Sequence, residues 1–479
     1  MSFTGSFTGM QRTARFDVAA LVAAALALRL PAYFASRTLT FDEGVYASSA
    51  LAMRGGALPF RQVFSAQGPL HLPLVYVFDL LGGRSLDSPR LVAVAAGLVV
   101  TVAVYATGRL IATRESALLA AALVATTGSI LWTTAPLTGD GPAAALTALA
   151  VLGAFAWRDK PSTWRAILTG IAIGAALAVK VLAAVAAIPI GLIFVLSREG
   201  TRRGRDLALA VAAAVAVIVA TTLPWGVSRV VDQSITYHTD APRIETVAEQ
   251  FNKLVTTLPS RDMPLIVAVG LGFIAAALAR RRGGRDADGT SRDTRILLAW
   301  LVPLLVLLVF EKNMWRPHIA AATLPLALLV ALRPPPLKWF AIALVALVPW
   351  WAVHLGDILW PQPYHGAEAA VVSRLRALPG DAWVISDEPG LAWRADRLTP
   401  PSLVDGSVLR VREHLVTTRY VSRAAADERV CAVVVWSTRY GRDLPGLPAA
   451  LRAEGFTIVD RYGGVRTYWQ KQTSRCGLR

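Results

Sequence analysis

Phe41-Asp42-Glu43-Gly44-Val45-Tyr46 follows directly on the first long apolar run of the chain, residues 18–34. A carboxylate beside a bilayer is costly unless it faces water or a cation, so an acidic pair there is a functional candidate. It opens a polar segment of about fifty residues, 36–89, too long for a plain connector. Outward from it, apolar runs of membrane-spanning length recur. The 479 residues are 54% hydrophobic and only 17% charged, with a mean hydropathy of +0.49. A soluble protein carries nearer a quarter charged residues. The reading is an α-helical polytopic membrane protein.

About eleven spans can be drawn: 17–35, 90–110, 116–135, 140–157, 164–179, 181–197, 206–225, 263–280, 295–311, 317–332 and 337–355. The first is read as a retained span, because no small-residue cleavage site follows it. Every second loop is basic: Arg109/Arg114, Arg158/Lys160/Arg165, Arg198/Arg202/Arg203/Arg205, Arg280/Arg281/Arg282/Arg285, and Arg333/Lys338. The positive-inside rule puts these loops in the cytoplasm. Residues 36–89, 136–139, 226–262 and 311–316 then lie outside, as does the tail. The net charge of +17 is explained by these loops, so nucleic acid is not the partner.

From residue 356 the composition becomes more charged. Residues 382–386 and 430–436 read as buried strands, 368–378 and 447–454 as amphipathic helices, and 456–459 with 465–469 as a hairpin. The chain divides into a membrane domain, 1–355, and a small extracytoplasmic α/β domain, 356–479, large enough for its own core. Its Cys431 and Cys476 are the only cysteines, and a disulfide is open to them outside the cytoplasm. The polar stretch 283–289 reads as a mobile linker.

Asp42 and Glu43 either cap a helix starting near Gly44 or serve a site; neighbours on a helix diverge by about 100°, so only one would face a given atom. Asp140, at the outer mouth of the fourth span, either caps that helix or joins Asp42. Lys312, Arg316 and His318 sit on an outer loop where cations are not needed for topology. They suit a phosphate at the lipid interface, or they snorkel to headgroups. Lys180 has the same two readings. Tyr46, Gln67 and His71 are candidates for acceptor or loop contacts. No P-loop, dinucleotide turn or Cys/His metal spacing is present, and no metal ligands are assigned.

Carboxylates beside cations at a lipid-facing mouth suit group transfer from a lipid phosphate. With a polyprenyl-phosphate-linked sugar, fixed cations stabilise the departing phosphate. One base then suffices for the acceptor hydroxyl, and direct displacement inverts the anomeric centre. A transporter or flippase of lipid-linked sugars, and a non-catalytic scaffold, are the alternative readings.

Residues 41–46, Arg54-Gly55-Gly56-Ala57-Leu58-Pro59-Phe60, Gln67-Gly68-Pro69-Leu70, Thr138-Gly139-Asp140 and Ala178-Val179-Lys180 together resemble the GT-C glycosyltransferases. The resemblance is to the branch holding protein O-mannosyltransferases and lipid A aminoarabinose transferases. It implies Asp42 as catalytic base, Glu43 and Asp140 orienting the acceptor or the loop, and Lys180, Lys312, Arg316 and His318 holding the donor phosphate. It implies a polyprenyl-phosphate sugar donor, a divalent metal as an allowed addition, and a protein, glycolipid or cell-wall glycan acceptor. The place is the cytoplasmic membrane, with the site on the extracytoplasmic face. Where the aminoarabinose transferases carry an Arg and a Lys, this chain has Val45 and Gln67-Gly68.

Overall fold

The structure, a computed structural model, describes residues 4–197, 200–282 and 288–477. The stretch 283–289, read as a linker, falls largely outside them, as do Arg198 and Arg285. All the apolar runs carry helix: α1 (Thr4–Ala27), then, past the outer segment, α4 (Leu91–Ile111), α5 (Arg114–Thr126), α6 (Gly128–Thr134), α7 (Asp140–Asp159), α8 (Thr163–Val179), α9 (Ala187–Val195), α10 (Gly200–Thr222), α11 (Val247–Arg281), α12 (Asp288–Phe310), α13 (Ala320–Leu332) and α14 (Leu337–Leu359). Within the outer segment lie α2 (Phe41–Arg54) and α3 (His71–Leu81). The chain is a multi-pass helical membrane protein.

Among the described residues six helices are long and apolar enough to cross a membrane, or seven if α5 and α6, bent by 59°, are one span. The remaining runs make shorter helices. α8 has 17 residues, and the run at 181 opens as a 3-10 turn before α9. Pro31 leaves only a four-residue helical turn after α1. The loop expected over 226–262 is helical over 227–240, as short consecutive pieces, and again from Val247 onward. α11 kinks at Asp262, between Pro259 and Pro264, where proline removes backbone donors.

Small residues set the packing. A Cβ on Gly170 or Gly174 of α8 would lie 2.0 and 2.6 Å from the carbonyl oxygens of Ala210 and Ala214 on α10. The two glycines, four apart, let the helix backbones touch, as membrane interfaces favour. α10 and α14 turn Val211, Val215, Ile342 and Val345 outward, the face that lipid covers. At the helix ends carrying the basic loops, Arg114 of α5 holds Asp17 of α1 at 2.5 and 2.7 Å.

The tail carries all four strands: β1 (Trp383–Ser386), β2 (Val430–Val435), β3 (Phe456–Arg461) and β4 (Thr467–Lys471), in the order β1-β2-β4-β3. β1 and β2 are parallel, and the other pairs antiparallel. The expected strands, hairpin and two helices (α15, Gly366–Ala377, and α18, Leu447–Ala453) are present. Four helices of the tail were not foreseen: α16 (Pro389–Arg394), α17 (Thr418–Ala425) and two single turns, Val408–Arg412 and Thr438–Gly441. Cys431 and Cys476 are bonded, tying buried β2 to the last turn.

The tail rests on the first outer segment. A Cβ on Gly44 would stand 2.4 Å from the Gly390 nitrogen, and one on Gly390 would strike Thr38, so α2 and α16 meet backbone to backbone. Trp393, fully buried, donates to the Leu86 carbonyl at 3.0 Å. Arg394 pairs with Asp87 at 2.8 Å.

Candidate active site

The acidic pair separates into two roles. Thr40, in extended conformation, caps α2 by accepting from the Glu43 nitrogen. Neither acidic side chain is the cap, so that reading falls. Glu43 turns inward and is fully buried, as is its ion-pair partner Arg90, at 2.8 Å. It also accepts from the backbone nitrogens of Leu39 and Leu137, at 2.7 and 3.1 Å. Arg90 donates to the carbonyls of Ala32, Tyr33, Ala35 and Arg37. One buried pair thus fixes the turn entering α2, the turn at 137 and the start of α4.

Asp42, one residue away, points elsewhere. Its carboxylate is half-buried and makes no hydrogen bond or ion pair among the described residues. Burial pushes it up to about 6. Lys180 and His318 pull the other way, while Asp140 and Asp405 add to the rise. These four charges come from four separate stretches of chain.

Asp140 does not cap α7: Gly139 holds the N-cap position, and the Asp140 side chain goes to Lys180 at 2.7 Å. Lys180 is delivered by a sharp break. α8 ends at Val179 and Lys180 is extended, so the carbonyls of Ala178 and Val179 are free of the helix. Leu70 and Gly68 donate to them at 2.9 and 3.0 Å. A Cβ on Gly68 would lie 2.2 Å from the Ala178 oxygen, so this approach requires glycine. The 67–70 stretch therefore locks onto the Lys180 break. Gln67 packs on Gly139. His71 is fully buried, edge-on to Tyr46 at 4.3 Å, with neither ring nitrogen bonded.

The cations of 312–318 divide. His318 bonds Glu311 at 2.8 Å and acts on both Asp42 and Asp140. Lys312 donates to the Thr239 carbonyl. Arg316 is exposed, with Arg261 as a charged neighbour. Neither is among the charges acting most strongly on Asp42. Among the described residues no three His, Cys, Asp or Glu side chains are arranged to hold a metal ion.

Beside the Asp140–Lys180 pair a small cavity of about 30 Å³ lies between α7, α12 and α13. It is lined by Ala143, Ala144, Thr147, Leu182, Ala183, Val185, Ala186, Trp300, Leu304, Ala321 and Leu324. Its head is charged and its walls are mostly hydrocarbon.

Residues 67–225 match the dolichyl-phosphate-mannose-protein mannosyltransferase family model. Among solved structures, ArnT from Cupriavidus metallidurans bound to undecaprenyl phosphate superposes with a TM-score of 0.66 at 15% identity, covering 96% of this chain and 99% of that one. The chain has the GT-C fold. Two further GT-C relatives agree: the Archaeoglobus fulgidus oligosaccharyltransferase, with a TM-score of 0.57 at 14% identity over 95% of this chain and 73% of that one, and the mycobacterial arabinofuranosyltransferase AftD, with 0.54 at 14% over 96% and 41%. No curated protein matches the chain.

On this GT-C scaffold two residues that the sequence reading passed over are prominent. Arg90 carried a usable signal: it is a cation at the end of a span away from the basic loops, against the topological bias. Asp405 carried none, because only the docking of the tail brings its neighbour Val404 into the buried cluster with Val45 and Tyr46.

Proposed function

We propose that the protein transfers a sugar from a polyprenyl-phosphate donor to an acceptor hydroxyl, at the extracytoplasmic face of the cytoplasmic membrane, with Asp42 as the base. The observation that carries this is a half-buried carboxylate, without a hydrogen bond or ion pair among the described residues, on which the charges of the Lys180–Asp140 pair and of His318 act. The donor phosphate meets Lys180, with His318 nearby, and its polyprenyl chain stays on the lipid side. The bond from the anomeric carbon to the phosphate oxygen breaks, and its electron pair leaves with the phosphate. The acceptor oxygen bonds the anomeric carbon from the opposite face, and its proton passes to Asp42. The anomeric centre is inverted. Glu43 is a positioning residue, because it is sealed against Arg90; Asp140 holds Lys180. Lys312 and Arg316 serve the donor from further out, toward the lipid headgroups. Glycan, glycolipid and protein hydroxyls all meet the chemical requirement. The Cys431–Cys476 bond favours an oxidising compartment for the tail.

Two outcomes test this. A base pushed up to about 6 must be deprotonated to work, so kcat/KM should fall about tenfold for each pH unit below that value. A flat profile down to pH 4.5 would reject the assignment. Lys180→Met should raise the KM for donor by about 10- to 100-fold, the worth of one charge-assisted hydrogen bond. Kinetics with varied lipid donor, on enzyme reconstituted in liposomes, would read it. An unchanged KM would remove the phosphate from Lys180.

A further inference from the structure

Asp405 stands out among the carboxylates of the tail. It is buried, with 6% of its surface exposed, and no cation pairs with it among the described residues. A buried carboxylate without a counter-charge is expensive to keep. Nor is it loosely placed. One carboxylate oxygen accepts from the Ser407 nitrogen at 2.8 Å. The neighbouring Arg410 donates to the backbone carbonyls of Asp405 and Ser402, at 2.5 and 3.1 Å, while lying over the Phe64 ring of the first outer segment. Ser407 itself bonds the Tyr237 hydroxyl at 3.0 Å. The 402–410 stretch is thus fastened to two outer loops of the membrane part. Val404, the residue before Asp405, is buried in one apolar cluster with Val45 and Tyr46 of α2, the helix that carries Asp42, so the Asp405 charge is held at that helix, where it acts on Asp42 and Tyr46.

We infer that Asp405 is a positioning residue of the transfer site, acting through Asp42: its fixed negative charge favours the neutral, protonated carboxyl that Asp42 becomes when it takes the acceptor proton. The tail is then a working part of the catalytic centre. The inference rests on Asp42 being the base. The other groups facing Asp42 are accounted for. Lys180 is matched by Asp140, and His318 by Glu311. Tyr46 shares its helix, and burial together with the Asp42, Asp140 and Asp405 charges holds its hydroxyl protonated. His71 from α3 faces Tyr46. Glu43 is matched by Arg90, and Glu388 of the tail by Arg439, which covers Phe41. Asp405 is the member of this set without a cation of its own.

Removing the charge should make Asp42 a weaker base. In Asp405→Asn the acid limb of the kcat/KM profile should move to lower pH, and kcat on the plateau should drop about three- to tenfold. KM for the donor should stay unchanged. Asp405→Glu, which restores the charge, should return the limb toward its original position, and Asp405→Ser should behave as Asn does. Thermal unfolding of each purified variant shows which are folded; if Asn does not fold, Ser carries the comparison. An unmoved limb in the uncharged variants, or a loss entirely in KM, overturns the inference. Asp42→Asn separates the two levels. Should it stay active, the base assignment itself fails. Should it be dead while the Asp405→Asn limb is unmoved, only the role of Asp405 fails.

Discussion

Asp42→Asn is expected to abolish sugar transfer while leaving the protein folded and able to bind its lipid donor. Asparagine keeps the shape of the side chain and removes its capacity to take a proton. General-base assistance is worth about 10²–10⁴ in rate, and kcat should fall by that amount. Folding should survive because the Asp42 carboxylate makes no hydrogen bond or ion pair among the described residues. Losing it also relieves repulsion with Asp140 and Asp405, whose charges both act against an ionised Asp42. Donor affinity should hold, since Lys180 keeps its partner Asp140. Mass spectrometry of glycosylated products and of the polyprenyl-phosphate sugar pool, beside thermal unfolding of the purified variant, measures all three quantities. Full transfer by the variant would defeat the mechanism. Loss of transfer together with unfolding would show Asp42 to be structural.

Much of this arrangement is legible in the sequence, because bilayer physics writes it there. Apolar length marks helices, basic loops mark one side, and a carboxylate pair outside the first span is conspicuous by its cost. Which member of the pair faces the site is not legible. Asp42 and Glu43 are chemically alike, and the difference is that Arg90, 47 residues on, claims one of them. The pairing of Asp140 with Lys180 hides behind a helix start that would equally suit a cap. The cations of 312–318 read as one cluster, yet a short 3-10 turn at Arg316–Ile319 turns His318 inward while Arg316 stays exposed. Asp405 is invisible for a different reason. Its neighbours are set by the contact of Gly44 with Gly390, a tertiary event that no local pattern encodes.

Glu43→Gln and Arg90→Met should each destabilise the protein severely, by about 3–5 kcal/mol, the usual consequence of stranding one charge of a buried pair. Both side chains are fully buried, so neither remaining partner regains water. Arg90 would suffer most from losing Glu43, since its other contacts are backbone carbonyls, the Trp393 ring and a longer 3.5 Å contact with Asp87, which Arg394 already holds at 2.8 Å. Glu43 without Arg90 keeps the Leu39 and Leu137 nitrogens, and that variant should be the less damaged of the two. The turn at 32–37, the entry to α2 and the start of α4 are fastened by this pair, so its loss loosens the helix that carries Asp42. Activity should therefore fall in step with the folded fraction, with the acid limb of the surviving enzyme unmoved. The double variant Glu43→Leu/Arg90→Met tests the argument from the other side. With both charges gone no stranded ion remains, and stability should recover well above that of either single variant. Unfolding followed by tryptophan fluorescence in detergent would read the cycle, and Trp393, which lies against Arg90 at 5.0 Å, is placed to report it. Additive losses in the double variant would show that Glu43 and Arg90 act separately, and Glu43 would then return as a candidate for direct chemistry.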